Sequence, residues 1–192
     1  MGKTSDKTKL GVTGDLVMRL CEHLPHHENF KLFFDNYFTS LALIKELYSI
    51  GILSLGTIRG KRLMGAQTLL LSEKCLKTMG RGSYDWRVDA SFNISVIKWQ
   101  DNSVIQLASL FIGTSIGGKV KRWSSKDKKT IEIDCPSIVH EYNKFMGAVD
   151  LHDMLLSLYA IKLRSNKWYM PIFYYCIKVA VTNFVTVLVP NC

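Results

Sequence analysis

The sequence predicts an α/β fold, and three observations carry that prediction. The first sixty residues alternate between helical and strand-like periodicity. Residues 61 to 134 break into short runs of alternating apolar and polar residues with turn formers between them. Residues 135 to 192 return to helical spacing. A hydrophobic content of 47% in 192 residues is ample for a packed core and excludes a disordered chain.

In chain order, GDLVMRLCEHLP (14 to 25) reads as an amphipathic helix. Leu16, Val17, Leu20 and Leu24 share one face, and Pro25 ends it. Phe30 to Phe34 reads as a buried strand. Thr39 or Ser40 then caps a helix through LALIKELYSI, with Gly51 after its end. ILSLGTIRG (52 to 60) reads as the next strand. SYDWRVD, ISVIKWQ, VIQLASLFIG, KVKRW and TIEID follow as short strands, with DNS as a hairpin connection after the second. Together these five predict a small antiparallel β unit inserted into the α/β domain. Pro136 opens a helical section in which Val139, Tyr142, Met146, Val149, Asp153 and Leu156 fall on one stripe. A last helix runs from about Asn166 onward. The predicted organisation is therefore 10–60, an inserted unit at 61–134, and helices over 135–192.

The charge is skewed, with 25 Lys and Arg against 16 acids for a net +9, which suits a polyanionic partner or a solvated surface. The five cysteines form no CxxC pair and are odd in number, which points to packed thiols in a reducing compartment instead of a disulfide frame or zinc site. MGKTSDKTKLG has no apolar signal core, and its GKT lacks the glycine a phosphate-binding loop needs. Residues 172 to 189 are long and apolar enough to raise a membrane span. Lys178 and Asn183 interrupt them, however, and a central charge costs about 2.5–3.5 kcal/mol, so a buried helix is expected.

Three acids sit where packing alone would not put them. Asp35 ends an apolar run, and Asp150 and Asp153 lie on a helix, Asp153 on its apolar stripe. Buried carboxylates are normally paired, neutralised or metal-bound. A divalent cation could draw on all three. Equally, Asp35 could cap a helix, and Asp150 and Asp153 could pair with Lys144 or Arg164. His152 reads as solvent-facing, and His26 and His27 carry no metal spacing. The block KVKRWSSKDKK (119 to 129) is either a charged hairpin tip or a phosphate-contacting edge with Trp123 as a stacking surface.

Two long motifs carry a family resemblance. FFDNYFTSLALIKELYSIGILSLGTIRGKRL and EYNKFMGAVDLHDMLLSLYAIKLRSNKWYMPIFYYCIKVAVTNF resemble the piggyBac transposases and their transposable-element-derived relatives. GRGSYDWRVD and KVKRWSSKDKK also resemble that family's inserted β region, and the likeness runs from about Leu10 onward. The resemblance implies a partial ribonuclease-H-like core that uses three aspartates and Mg²⁺ to cut and join DNA. On it, Asp35 matches the second aspartate, Asp150 the third, and Asp153 a neighbouring acid. Arg59 and Lys61 fall in a segment implicated in DNA contact, and Arg62 is a further basic candidate beside them. Lys119, Lys121, Arg122, Trp123, Lys126, Lys128 and Lys129 would extend that contact.

The family's first aspartate lies upstream of the GDLV helix, and Asp6 is not in a strand-like context that could replace it. The expectation is therefore an interior piece of a transposase with its opening strands and C-terminal zinc module missing. Such a piece would bind Mg²⁺ weakly and not catalyse transposition alone. The alternatives are a nuclear DNA-binding module without catalysis, or a relic without function. The expected partners are DNA (transposon ends or chromatin) and a second copy of the chain, with no membrane.

Overall fold

The computed structural model describes residues 10–113, 115–125, 128–158 and 165–188. It divides into two compact units, Met1–Lys144 and Phe145–Cys192. In the first, α1 (Gly11–Cys21), β1 (Lys31–Phe34), α2 (Leu41–Ser49) and β2 (Leu53–Thr57) follow the predicted helix–strand–helix–strand order. α2 starts where a capping hydroxyl is available, since Ser40 Oγ accepts the Leu43 N–H at 3.2 Å. It buries Leu41, Leu43, Ile44 and Leu47. α1 is turned relative to the expected face. Gly14, Val17 and Cys21, spaced three and four apart, are buried, whereas Leu16 and Leu20 are exposed. Phe30 is also exposed, and of β1 only Phe34 is buried.

Two 3₁₀ turns (Gly60–Arg62 and Ala66–Leu69) and α3 (Glu73–Met79) lead into β3 (Tyr84–Asp89), β4 (Ile94–Gln100) and β5 (Val104–Ser109). These strands do not form a sheet apart from β1 and β2. The five make one mixed sheet in the order β1-β2-β5-β4-β3, parallel only between β1 and β2. β5 pairs directly with β2, Gly56 opposite Ala108, so hydrogen bonding continues across the expected boundary at residue 60. Local alternation gives the strands but not their partners. β6 (Ile116–Ser124) and β7 (Lys129–Pro136) form a separate antiparallel ribbon.

All seven residues of β4 are buried, because both faces of the sheet are covered. Ile94, Val96, Ala108 and Leu110 pack against α1 and α2 in one core. Leu55, Ile97, Trp99 and Leu107 pack against Ile133 and Cys135 of the ribbon, and against Ile138 and Val139 of α4 (Ser137–Met146). Two buried side-chain donors on β4 are satisfied by neighbouring backbone. Trp99 Nε1 donates to Asp134 O at 3.0 Å and Lys98 Nζ to Leu71 O at 3.1 Å.

Gly147 separates α4 from α5 (Ala148–Leu158), so the helical section is two helices and the expected single stripe does not run through it. Val139 is buried in α4 and Leu156 in α5, but Asp153 is exposed. In the second unit α5 packs against α6 (Met170–Leu188). α6 is not a fully buried helix, since Ile172, Phe173, Tyr175 and Phe184 are each more than half exposed. Among the described residues no helix is long and apolar enough to cross a membrane.

Candidate functional site around Asp35

Parallel pairing of β1 with β2 sets Phe34 opposite Gly56, so the next residues, Asp35 just past β1 and Thr57 at the end of β2, lie side by side. Thr57 Oγ1 donates to Asp35 Oδ1 at 3.0 Å, and the Asn36 N–H donates to the same oxygen at 2.6 Å. The Asp35 carbonyl closes the following turn. It accepts from Phe38 N at 3.1 Å, Thr39 N at 3.2 Å and Thr39 Oγ1 at 2.9 Å. Asp35 is exposed, and Oδ2 makes no hydrogen bond among the described residues. Of the two readings open in the sequence, capping of α2 is excluded, because Ser40 performs it.

Two arginines hold the loop after Asp35. Arg59 Nε donates to Asn36 Oδ1 at 3.0 Å. One terminal nitrogen of Arg62 reaches three carbonyls, Tyr37 at 2.6 Å, Thr39 at 3.1 Å and Asn36 at 3.3 Å. The loop lies close over β2 because Gly56 has no side chain. A Cβ there would come within 2.5 Å of Thr39 Oγ1 and 2.6 Å of Phe34 O. Arg59 and Arg62 thus brace the Asp35 loop, while Lys61 between them is exposed. On the other side Tyr142 of α4 brings its hydroxyl to 3.4 Å from Thr57 Oγ1. Burial pushes this phenol above its usual 10.0; the Thr57 contact opposes that rise and the Asp35 charge adds to it.

Asp150 and Asp153 lie on α5 in the second unit, one helical turn apart and both exposed. Asp150 falls in the first turn, where a negative charge suits the helix dipole. His152 between them is half-buried.

On the ribbon, Lys119, Lys121 and Trp123 point to one face, and Trp123 is 61% exposed. Asp134 stands directly opposite Lys119 and Glu132 opposite Lys121, which reduces the positive charge of that face. Arg122 turns the other way and donates to Asp101 Oδ2 at 2.9 Å. Arg81 grips the same carboxylate through Oδ1 at 2.5 Å and also donates to Trp123 O at 3.0 Å. Lys128 and Lys129 are exposed near the ribbon turn, and Lys126 lies outside the described residues.

Among the described residues no three His, Cys, Asp or Glu side chains gather to hold an ion. The chemistry of the donors nevertheless fits a hard divalent cation. Mg²⁺ takes oxygen ligands and commonly only one or two protein carboxylates beside water and phosphate. In the first unit Asp35 offers an oriented carboxylate with one open oxygen.

A family model described as Transposase IS4, of piggyBac type, matches residues 1–184. The chain belongs to this piggyBac-type transposase family. The human PiggyBac transposable element-derived protein 3 is 36% identical over 175 residues, covering 90% of this chain. The human PiggyBac transposable element-derived protein 2 is 32% identical over 186 residues, covering 94%. The chain spans 29% and 30% of the length of these two relatives. Its fold is similar to that in the cryo-EM structure of a piggyBac transposase synaptic complex with hairpin DNA. That similarity has a TM-score of 0.69 at 21% identity, over 95% of this chain and 34% of that one.

Within this piggyBac-type segment, the sequence singled out Asp35 but did not reveal its neighbours Thr57 and Tyr142 or the bracing contacts of Arg62. Thr57 ends an apolar strand and Tyr142 lies on an apolar helix face, so both read as packing residues until the register of β1 and β2 is known.

Proposed function

We propose that this chain is part of the DNA-processing region of a piggyBac-type transposase, where Asp35 is a metal-holding carboxylate beside bound DNA. The observation that carries this reading is the Asp35 carboxylate, oriented through Oδ1 and open at Oδ2 at the end of a parallel strand pair. Asp150 and Asp153 are its companions in the reading, each belonging to the same donor class. A divalent ion held by such carboxylates would supply charge neutralisation at a phosphate oxygen. Lys61 of the Asp35 region, with Lys119, Lys121, Lys128 and Lys129 of the ribbon, would neutralise backbone phosphates, and Trp123 would stack on an unpaired base. The net charge of +9 and the DNA in the related synaptic complex support a DNA partner. A nuclear site of action follows from that substrate.

In this proposal the chain alone binds DNA and a divalent cation but does not cut, because an in-line displacement calls for two ions about 4 Å apart. Among the described residues no three His, Cys, Asp or Glu side chains gather at that loop. The test incubates the full chain with hairpin-ended DNA and Mn²⁺, following complex formation, Mn²⁺ affinity and strand scission. The expected result is binding that weakens steeply with salt, no scission, and Mn²⁺ affinity reduced by Asp35→Asn with DNA affinity retained. No binding at low salt would overturn the DNA partner. Scission abolished by Asp35→Asn would overturn the non-cutting assignment and make the chain an enzyme by itself.

A further inference from the structure

Two hydroxyls adjoin the Asp35 carboxylate from elements far apart in sequence. Thr57 comes from the end of β2 and Tyr142 from α4. An ionised carboxylate only accepts hydrogen bonds, so the one proton of Thr57 Oγ1 is committed to Asp35 Oδ1. The lone pairs of Thr57 Oγ1 then remain for the Tyr142 O–H, giving a directed chain Tyr142 → Thr57 → Asp35. The Thr57–Asp35 contact, at 3.0 Å, has ordinary geometry, whereas the Tyr142–Thr57 contact, at 3.4 Å, is long for a hydroxyl pair and therefore weaker.

The Asn36 N–H already fixes the backbone side of Oδ1. The Thr57 hydroxyl adds a second donor from another strand, and two donors on one oxygen define the plane of the carboxylate. Oδ2 is thereby turned outward as the acceptor left for a ligand. A side chain free to rotate about its two torsions would have to lose that freedom on binding.

We propose that Thr57, supported by Tyr142, is a positioning residue that fixes the Asp35 carboxylate with Oδ2 presented to a divalent cation. This rests on the reading of Asp35 as a metal-holding group, and the variants below separate the two. The assignment is of hydrogen bonding, not of bulk. Thr57→Val keeps the shape and removes the hydroxyl, Thr57→Ser keeps the hydroxyl and removes the methyl, and Tyr142→Phe removes only the outer member.

The experiment titrates Mn²⁺ into the full-length chain and its variants, with binding read by electron paramagnetic resonance and folding by circular dichroism. Thr57→Val should weaken Mn²⁺ binding about tenfold, the scale on which groups that orient a ligand act. Thr57→Ser should restore most of it, and Tyr142→Phe should fall between. If Asp35→Asn leaves Mn²⁺ binding unchanged, the metal reading falls and takes this inference with it. If Asp35→Asn weakens binding but Thr57→Val does not, the positioning inference alone falls. Equal loss in Thr57→Val and Thr57→Ser also overturns it, since the methyl would then matter and the hydroxyl would not. Should Thr57→Val fail to fold, Thr57→Ser and Tyr142→Phe still decide, because wild-type affinity in Tyr142→Phe with loss in Thr57→Ser contradicts the directed chain.

Discussion

Asp35 and Ser40 lie five residues apart, and each could cap a helix by chemistry alone. Ser40 takes the cap, leaving Asp35 to close a turn through its carbonyl and to present its carboxylate at the strand end. Arg62 shows the same separation between residue type and role. A basic residue beside a proposed DNA contact instead satisfies three loop carbonyls that no regular element serves. Arg62→Ala should therefore destabilise the first unit by about 1–3 kcal/mol, the cost of orphaning hydrogen bonds to a charged donor. Denaturant titration checks it, and Arg62→Lys should recover part of the loss, because a single guanidinium nitrogen makes all three contacts and an ammonium nitrogen also carries three N–H donors. Lys61→Ala, one residue earlier, should leave stability unchanged.

At the scale of elements, the register of β1 on β2 brings Asp35 to Thr57, and Gly56 permits the loop above them. Gly56→Ala would place a methyl against Thr39 Oγ1 and the Phe34 carbonyl, one of them backbone that cannot swing away. The expected loss is about 1–3 kcal/mol, typical of overpacking, visible as a lowered melting temperature. α5 illustrates a different limit of sequence reading. A stripe drawn through residues 139 to 156 assumes one unbroken helix. Gly147 interrupts it, so the phase carried from α4 does not place Asp153 on a buried face. α1 was read correctly as a helix, yet its buried line runs through Gly14, Val17 and Cys21 while Leu16 and Leu20 face outward.

At the scale of the molecule, the first unit is a mixed sheet covered on one side by helices and on the other by the ribbon and α4. Asp101, at the turn between β4 and β5, ties sheet to ribbon through Arg81 and Arg122. Burial alone would raise its carboxyl; hydrogen bonds and charge from both arginines outweigh that and hold it below its ordinary 3.8. A carboxyl depressed in the folded state stabilises above its unfolded value and loses that contribution as pH falls through its folded one. Acid unfolding of the first unit should accordingly show a component below about pH 3.8 that Asp101→Asn removes, at the cost of lower stability at neutral pH. Measuring stability against pH for both proteins checks the sign. An Asp101→Asn protein whose stability still falls in parallel with wild type would show that other carboxyls carry the effect.

By itself the sequence determined the α/β class, the order of the early helices and strands, the hairpin at DNS, and the family likeness. Each of those depends on local periodicity, turn chemistry or a continuous motif. Tertiary structure alone decided that β5 joins β2, that Lys119 and Lys121 face acids across the ribbon, and that Arg122 is committed to Asp101. It also decided that Asp35 has Thr57 and Tyr142 as neighbours. The physical reason is range: periodicity tells a residue which way to face, but pairing between distant segments determines what it meets there.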